Sequence, residues 1–148
     1  MRRDYFTLTA DTEPWKTEGS TLPTLAVTYD GPEGDLTARL TADGSLLTAP
    51  DVDVSYRRQP NAEGADSGVL SLTARLTGEY LLEVDAAADT VDSLVEAARE
   101  VPGEEGYRVR IERPDADPIT YDKRVLLVYD GDGNLERERS LIPSGVEL

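Results

Sequence analysis

The sequence predicts an α+β fold, a mostly antiparallel β-sheet system of about eight or nine short strands with one α-helix packed on it. Three observations predict it. Apolar and polar residues alternate over most of the chain, which is the period of a half-buried strand. Gly, Pro, Asp and Asn interrupt these runs at short intervals, as turns do. Only Asp89–Val101 carries a helical period, with Val91, Leu94, Val95 and Ala98 at i, i+3, i+4 and i+7 on one face. Asp89 or Thr90 is expected to cap that helix by accepting from an orphan N–H. Asp92 suits the positive end of the dipole. Pro102-Gly103 is expected to stop the helix, because a proline disfavours α geometry at the residue before it. The apolar stripe then covers one face of a sheet.

The elements follow in order. Phe6, Leu8 and Ala10 alternate in Tyr5–Ala10, a short strand. Asp11–Thr21 reads as loop, with Trp15 alone inside it. Trp15 is expected to pin that loop over the core edge; the functional alternative is an exposed partner contact. Leu25, Val27 and Tyr29 make a strand, and Gly31–Gly34 a turn. Leu36, Ala38 and Leu40 alternate as a further strand, and Asp43-Gly44 turns the chain into Ser45–Thr48. Val52, Val54 and Tyr56 make another strand, and Gln59–Gly68, without apolar period, reads as a mobile loop. Val69–Leu76 and Tyr80–Ala86 form a hairpin across Thr77-Gly78. Tyr107–Arg113 is a strand, Pro114–Pro118 a turn segment, and Lys123–Asp130 an inner strand covered on both faces, since Val125–Tyr129 is apolar throughout. A two-residue turn at Asp132-Gly133 would set Val128 opposite Arg137 and Leu126 opposite Arg139. Leu135–Leu141 would then be a charged edge strand guarded against edge-to-edge pairing. One domain, residues 1–148, is the default for this length. A division into a β-rich part, 1–88, and a helix with C-terminal strands, 89–148, is the alternative.

Composition narrows the function classes. The chain holds 30 acidic and 15 basic residues, a net charge of −15. Among the basic residues only Lys16 and Lys123 are lysine. Abundant Asp, scarce Lys and small apolar residues resemble the cytosolic proteins of salt-in halophiles. At about 1 M salt the screening length is about 3 Å, which removes most of the self-repulsion. Folding is therefore expected to depend on salt, and the protein to be cytoplasmic. Such a surface disfavours nucleic-acid backbones and anionic membranes as partners. Arg2-Arg3 is followed at once by Asp4 and then by a polar stretch, so no export signal is read there.

The absence of cysteine removes disulfides and thiolates, and the absence of histidine removes the commonest general base and metal ligand. Asp130-Gly-Asp132-Gly-Asn134 imitates the start of a calcium loop. It has Leu135 where that loop needs Gly and Leu141 where it needs Glu, so a hairpin turn is the reading and no metal is expected. No Gly-x-Ser-x-Gly elbow, phosphate-binding glycine loop or supported Ser–Lys dyad occurs. No catalytic residue and no cofactor is assigned. A binding or assembly module is expected, with a small enzyme using carboxylates and arginines on a small molecule as the alternative.

One asymmetry points to a candidate surface. Residues 1–106 carry a net −13, whereas 107–139 carry −1. Arg108 and Arg110 on one strand and Arg137 and Arg139 on another flank the apolar run Val125–Tyr129. Cross-strand pairing of Arg108 or Arg110 with Glu136 or Glu138 is the structural account. The functional account is a patch that docks an acidic protein partner, for which arginine's bidentate fork is suited. The candidate partner contacts are therefore Arg108, Arg110, Arg137, Arg139 and Trp15.

Met1-Arg-Arg-Asp-Tyr-Phe-Thr-Leu, Leu76-Thr-Gly-Glu-Tyr-Leu-Leu-Glu-Val and Ser140-Leu-Ile-Pro-Ser-Gly-Val-Glu-Leu resemble an uncharacterised haloarchaeal protein family, a domain of unknown function, over the full chain. The resemblance implies a halophilic, cytoplasmic protein and carries over no functional residue. The terminal Ile142–Val146 is expected to dock as a last strand, or else to serve as a short recognition tail.

Overall fold

A computed structural model describes residues 5–11, 22–59, 67–101, 106–114 and 116–143. Trp15 lies outside them, as do most of the expected Gln59–Gly68 loop and the end of the chain from 144. Two four-stranded sheets enclose the core. The first has the order β1 (Phe6–Asp11), β2 (Thr24–Tyr29), β8 (Tyr107–Arg113), β9 (Ala116–Lys123). The second has the order β10 (Leu127–Tyr129), β5 (Val52–Arg58), β6 (Ser67–Ala74), β7 (Tyr80–Ala87). Most pairings are antiparallel, but β2 runs parallel to β8 and β5 parallel to β10. Each sheet thus joins strands from both sides of residue 88. A single buried cluster draws on Leu25, Val27, Val54, Tyr56, Leu70, Leu72, Leu82, Tyr107, Val109 and Ile111. Alternation explains this core: in β8, Tyr107, Val109 and Ile111 point inward while Arg108 and Arg110 point away.

The edge strands β1 and β7 pack side by side, and helix α2 (Ala88–Arg99) lies against both. The helix therefore covers the junction of the two sheets rather than one face of a single sheet. Its predicted stripe is buried: Val91, Leu94, Val95 and Ala98 are all inside, joined by Ala88. Its start differs from expectation. Ala87 is the N-cap, with no side-chain cap, and Asp89 and Thr90 already sit within the helix. Burial of the stripe, more than capping, holds such a helix in place.

Two further expectations fail for local reasons. Residues Asp35–Arg39 form a short helix, α1, not a strand. Leu36 and Leu40 are both buried and Ala38 is exposed. The pair fits the i, i+4 spacing of a helix as well as it fits alternation. Ala116–Pro118, read as turn, belongs to β9. That strand is the free edge of its sheet, where proline is tolerated. Asp43-Gly44 is the expected hairpin turn between β3 (Thr41–Ala42) and β4 (Ser45–Leu46), with φ of 53° and 81°.

The hairpin after β10 departs most from its expected register. The Asp130 N–H donates to the Asn134 carbonyl at 2.9 Å, and Tyr129 bridges Leu135. This is a three-residue loop with Gly133 at φ 86°, not a two-residue one. Beyond it the chain leaves the ladder. The Glu136 N–H still donates to the Val128 carbonyl at 2.8 Å; residues 137–140 then turn outward, and pairing resumes where Leu126 bridges Leu141. The buried Ser140 closes the gap, its Oγ accepting from the Val128 N–H at 2.9 Å and donating to the Glu136 carbonyl at 2.8 Å. Leu135–Leu141 is thus a cover over the outer edge of β10 rather than a strand. The run Val125–Tyr129 is buried at Leu126 and Val128 and only half-buried between them, so one face is covered, not two.

Candidate functional site

The four described candidate arginines sit in four different settings. Arg108 reaches across from β8 to Asp122 on β9, with Nε–Oδ1 at 2.7 Å and Nη2–Oδ2 at 3.2 Å. Arg110 pairs with Glu112 on its own strand. Neither meets Glu136 or Glu138, because the segment 136–140 belongs to the other sheet. Arg139 lies between Asp92 of α2 at 3.2 Å and Glu136 at 3.1 Å. With Arg58 also on Glu136 at 3.1 Å, it fastens the cover to the helix and to β5. Arg137 is exposed, and its side chain has no ion pair or hydrogen bond among the described residues.

Arg137 instead lines a notch of about 200 Å³ together with Arg99 and Arg124. No local pattern in the sequence joins these three. Arg99 ends α2, Arg124 sits in the bend after β9, and Arg137 is on the cover. The rest of the lining is Ala98, Gly106, Ser140, Leu141, Ile142 and Pro143, with no carboxylate among the described lining residues. Arg99 is fixed by carbonyls, its Nη2 donating to Glu138 O at 2.6 Å and Ser140 O at 2.9 Å. Carbonyls orient a guanidinium without cancelling its charge. A cation there also suits the negative end of the helix dipole. The floor needs a glycine: Gly106 has φ 91°, and a Cβ there would stand 2.0 Å from Lys123 O.

Arg124 also borders a broader groove of about 740 Å³. Its floor is the outer face of the second sheet. Ser55 pairs with Leu127 and Asp53 with Thr73, so these side chains share the face opposite the Val52, Val54 and Tyr56 core. Residues Asp122–Val125 and the 3-10 turn at Ala49–Asp51 form its walls. Lys123 holds the walls together, its Nζ donating to Ala49 O at 2.7 Å. Burial, and then the Arg75 charge, push its ammonium below the ordinary lysine range, against the pull of Asp53 and Asp51. Two carboxylates line the groove, and both are engaged: Asp53 with Arg75 at 2.7 Å and Asp122 with Arg108.

The Asp130–Asn134 segment uses its carboxylate internally. Asp130 Oδ1 accepts from the N–H groups of Asn134 and Asp132, both at 2.9 Å. These bonds, that from Asn134 foremost, hold its carboxyl below the usual range. Among the described residues no group of three carboxylates is placed to hold a metal ion. No described helix is long and apolar enough to cross a membrane.

No curated protein and no solved structure matches the chain. A family model does, over residues 1–148, and the chain belongs to that family, a family of unknown function (DUF5793).

Proposed function

We propose that this member of DUF5793 is a non-catalytic binding or assembly module of a salt-rich, haloarchaeal cytoplasm, and that it docks an acidic protein partner. The observation that carries this reading is the notch. Arg137, with no ion pair or hydrogen bond among the described residues, lines it beside Arg99, which backbone carbonyls hold, on a chain of net charge −15. The adjoining groove, with Leu127 and Tyr129 beside Arg124, offers apolar area next to that charge. In molar salt long-range steering is screened, so recognition must come from contact, desolvation and shape. Of the arginines assigned from sequence, Arg108, Arg110 and Arg139 form ion pairs, and the exposure of Arg137 supports it as the docking contact. The test is a pull-down at native salt with Arg137→Ser and, as control, Arg110→Ser. A partner kept by the control and lost by Arg137→Ser, at unchanged thermal stability, supports the reading. An unchanged partner set removes it.

The alternative, a small enzyme acting on a small molecule, draws support from Lys123, a buried amine of lowered pKa against the broader groove. Turnover of a small-molecule substrate that disappears in Lys123→Met, with the fold retained, would favour it over the module.

A further inference from the structure

We infer that this chain pairs with a second copy of itself through β9, the two strands running antiparallel about a two-fold axis at Tyr121 and joining the first sheets of both copies into one. This pairing is separate from the docking surface at Arg137 and does not depend on it. Of the edges of the two four-stranded sheets, β1 and β7 flank each other beneath α2, and β10 is covered by Leu135–Leu141. Among the described residues β9 alone is left open, with Pro118, Thr120 and Asp122 exposed along it. An open edge strand is a template for another strand.

Bond direction along β8 fixes what that edge offers. The Arg108 N–H donates to the Pro23 carbonyl, just before β2, at 2.8 Å. Arg108 and Arg110 therefore turn their N–H and C=O groups to β2, while Tyr107, Val109 and Ile111 turn theirs to β9. Their opposites Lys123, Tyr121 and Ile119 spend their own groups on β8. Thr120 and Asp122 then aim N–H and C=O outward, where no backbone bond among the described residues meets them. With Tyr121 on the axis, Thr120 of one copy faces Asp122 of the other, and each exchanges both bonds with its opposite. Pro118, the next exposed residue toward the start of the strand, has no N–H and ends the ladder. Charge favours a copy in this place. Residues 118–124 hold one acidic and two basic residues on a chain of net charge −15. The acid, Asp122, is already paired with Arg108 at 2.7 Å, and in this register it stands opposite a threonine rather than another carboxylate. A two-fold axis presents the same strand from both sides, which is the commonest symmetry of homodimers.

The test is the oligomeric state of the full chain at about 3 M KCl, where the net charge is screened. Sedimentation is read from about 1 μM to about 1 mM protein, with amide hydrogen exchange followed at both ends of that range. The mass is expected to rise from one copy to two, and the Thr120 and Asp122 amides, open in the monomer, to gain protection in step. Thr120→Pro and Asp122→Pro each take away an N–H that the monomer leaves in water, so the fold should stand. Each should weaken the dimer at least about tenfold, the scale of the bonds lost. Thr120→Val keeps that N–H and should leave the dimer unchanged. A monomer throughout the range would overturn the inference. So would a dimer that survives either folded proline variant, or one in which the two amides exchange as they do in the monomer. Should neither proline variant fold, exchange at Thr120 and Asp122 in the unaltered chain decides by itself, protection supporting the paired edge and its absence overturning it.

Discussion

Where β1 meets β7, helix α2 lies over the junction with its apolar stripe inside. Where β9 bends into β10, the two sheets are instead tied by individual bonds. Lys123 Nζ reaches Ala49 O, and Tyr107 Oη donates to Val125 O at 2.8 Å. The first junction is closed by contiguous apolar area, which is stabilising and indifferent to partners. The second is held by directed polar contacts that leave a groove and a notch between them. The lesson is a division of labour. A small domain can leave one seam polar and accessible when the opposite seam supplies enough burial to hold both sheets together.

The strongest way to break this comparison is at Leu94, which is fully buried. We expect Leu94→Ala to lower unfolding free energy by about 2–5 kcal/mol in denaturant titrations at high salt. Leu127→Ala, half-buried in the groove floor, should lose clearly less. Similar losses would mean that the groove side carries as much of the fold as the helix side.

Salt should separate the seams next. As KCl falls from about 3 M to about 0.05 M, the screening length grows past about 10 Å and the net charge of −15 is felt across the surface. Circular dichroism is expected to show loss of structure. Hydrogen exchange should show the amides of 126–141 opening before those of α2. A fold unchanged over that range would refute the salt dependence, and the reverse order of exchange would invert the comparison.

A smaller effect comes from alkaline pH. Burial pushes the Tyr121 phenol up to about 12 and raises that of Tyr107 as well. Each phenol is therefore held protonated in the folded state above the pH at which the unfolded chain loses its proton, near 10. Stability from these groups is complete below about pH 10 and is lost as pH rises toward 12. Lys123 acts oppositely, since its lowered pKa favours folding as pH climbs to about 10.5, and adds nothing beyond. Net stability should thus fall above about pH 10.5, with tyrosinate absorbance appearing for the two buried rings only on unfolding.

The smallest effect is expected at Tyr121 itself, whose buried Oη has no hydrogen-bond partner among the described residues. Tyr121→Phe removes an unsatisfied polar group at little cost in shape. Stability should hold or rise by about 1 kcal/mol, read as a higher melting temperature. A loss of more than about 1 kcal/mol would show that the hydroxyl is bonded in solution.

Much of the framework was legible because it is local. The stripe of α2 follows from spacing, β8 from Tyr107-Arg-Val-Arg-Ile, and the Asp43-Gly44 turn from the two residues that tolerate positive φ. What was not legible joins distant segments. Nothing near Thr24 announces Arg108 as its neighbour, nor does Ser55 announce Leu127. The candidate site shows the same limit. Arg137 and Arg139 looked equivalent under strict alternation, and the outward turn at 137–140 sent one to the notch and the other to Asp92. Arg99 and Arg124 carry no local sign of their convergence. A helix end and a strand bend meet there only because α2 and the β10 cover are fastened together.

The two parallel pairings also set a schedule for the nascent chain. β1 with β2, and β5 with β6 and β7, can form from residues already made, but the second neighbours of β2 and β5 come from β8 and β10. At about 5–20 residues per second, several seconds of synthesis separate β2 and β5 from those neighbours. During that interval each presents an open backbone edge to other chains. Synthesis rate and chaperone access, rather than the stability of the finished domain, then govern how much of the protein reaches its native state.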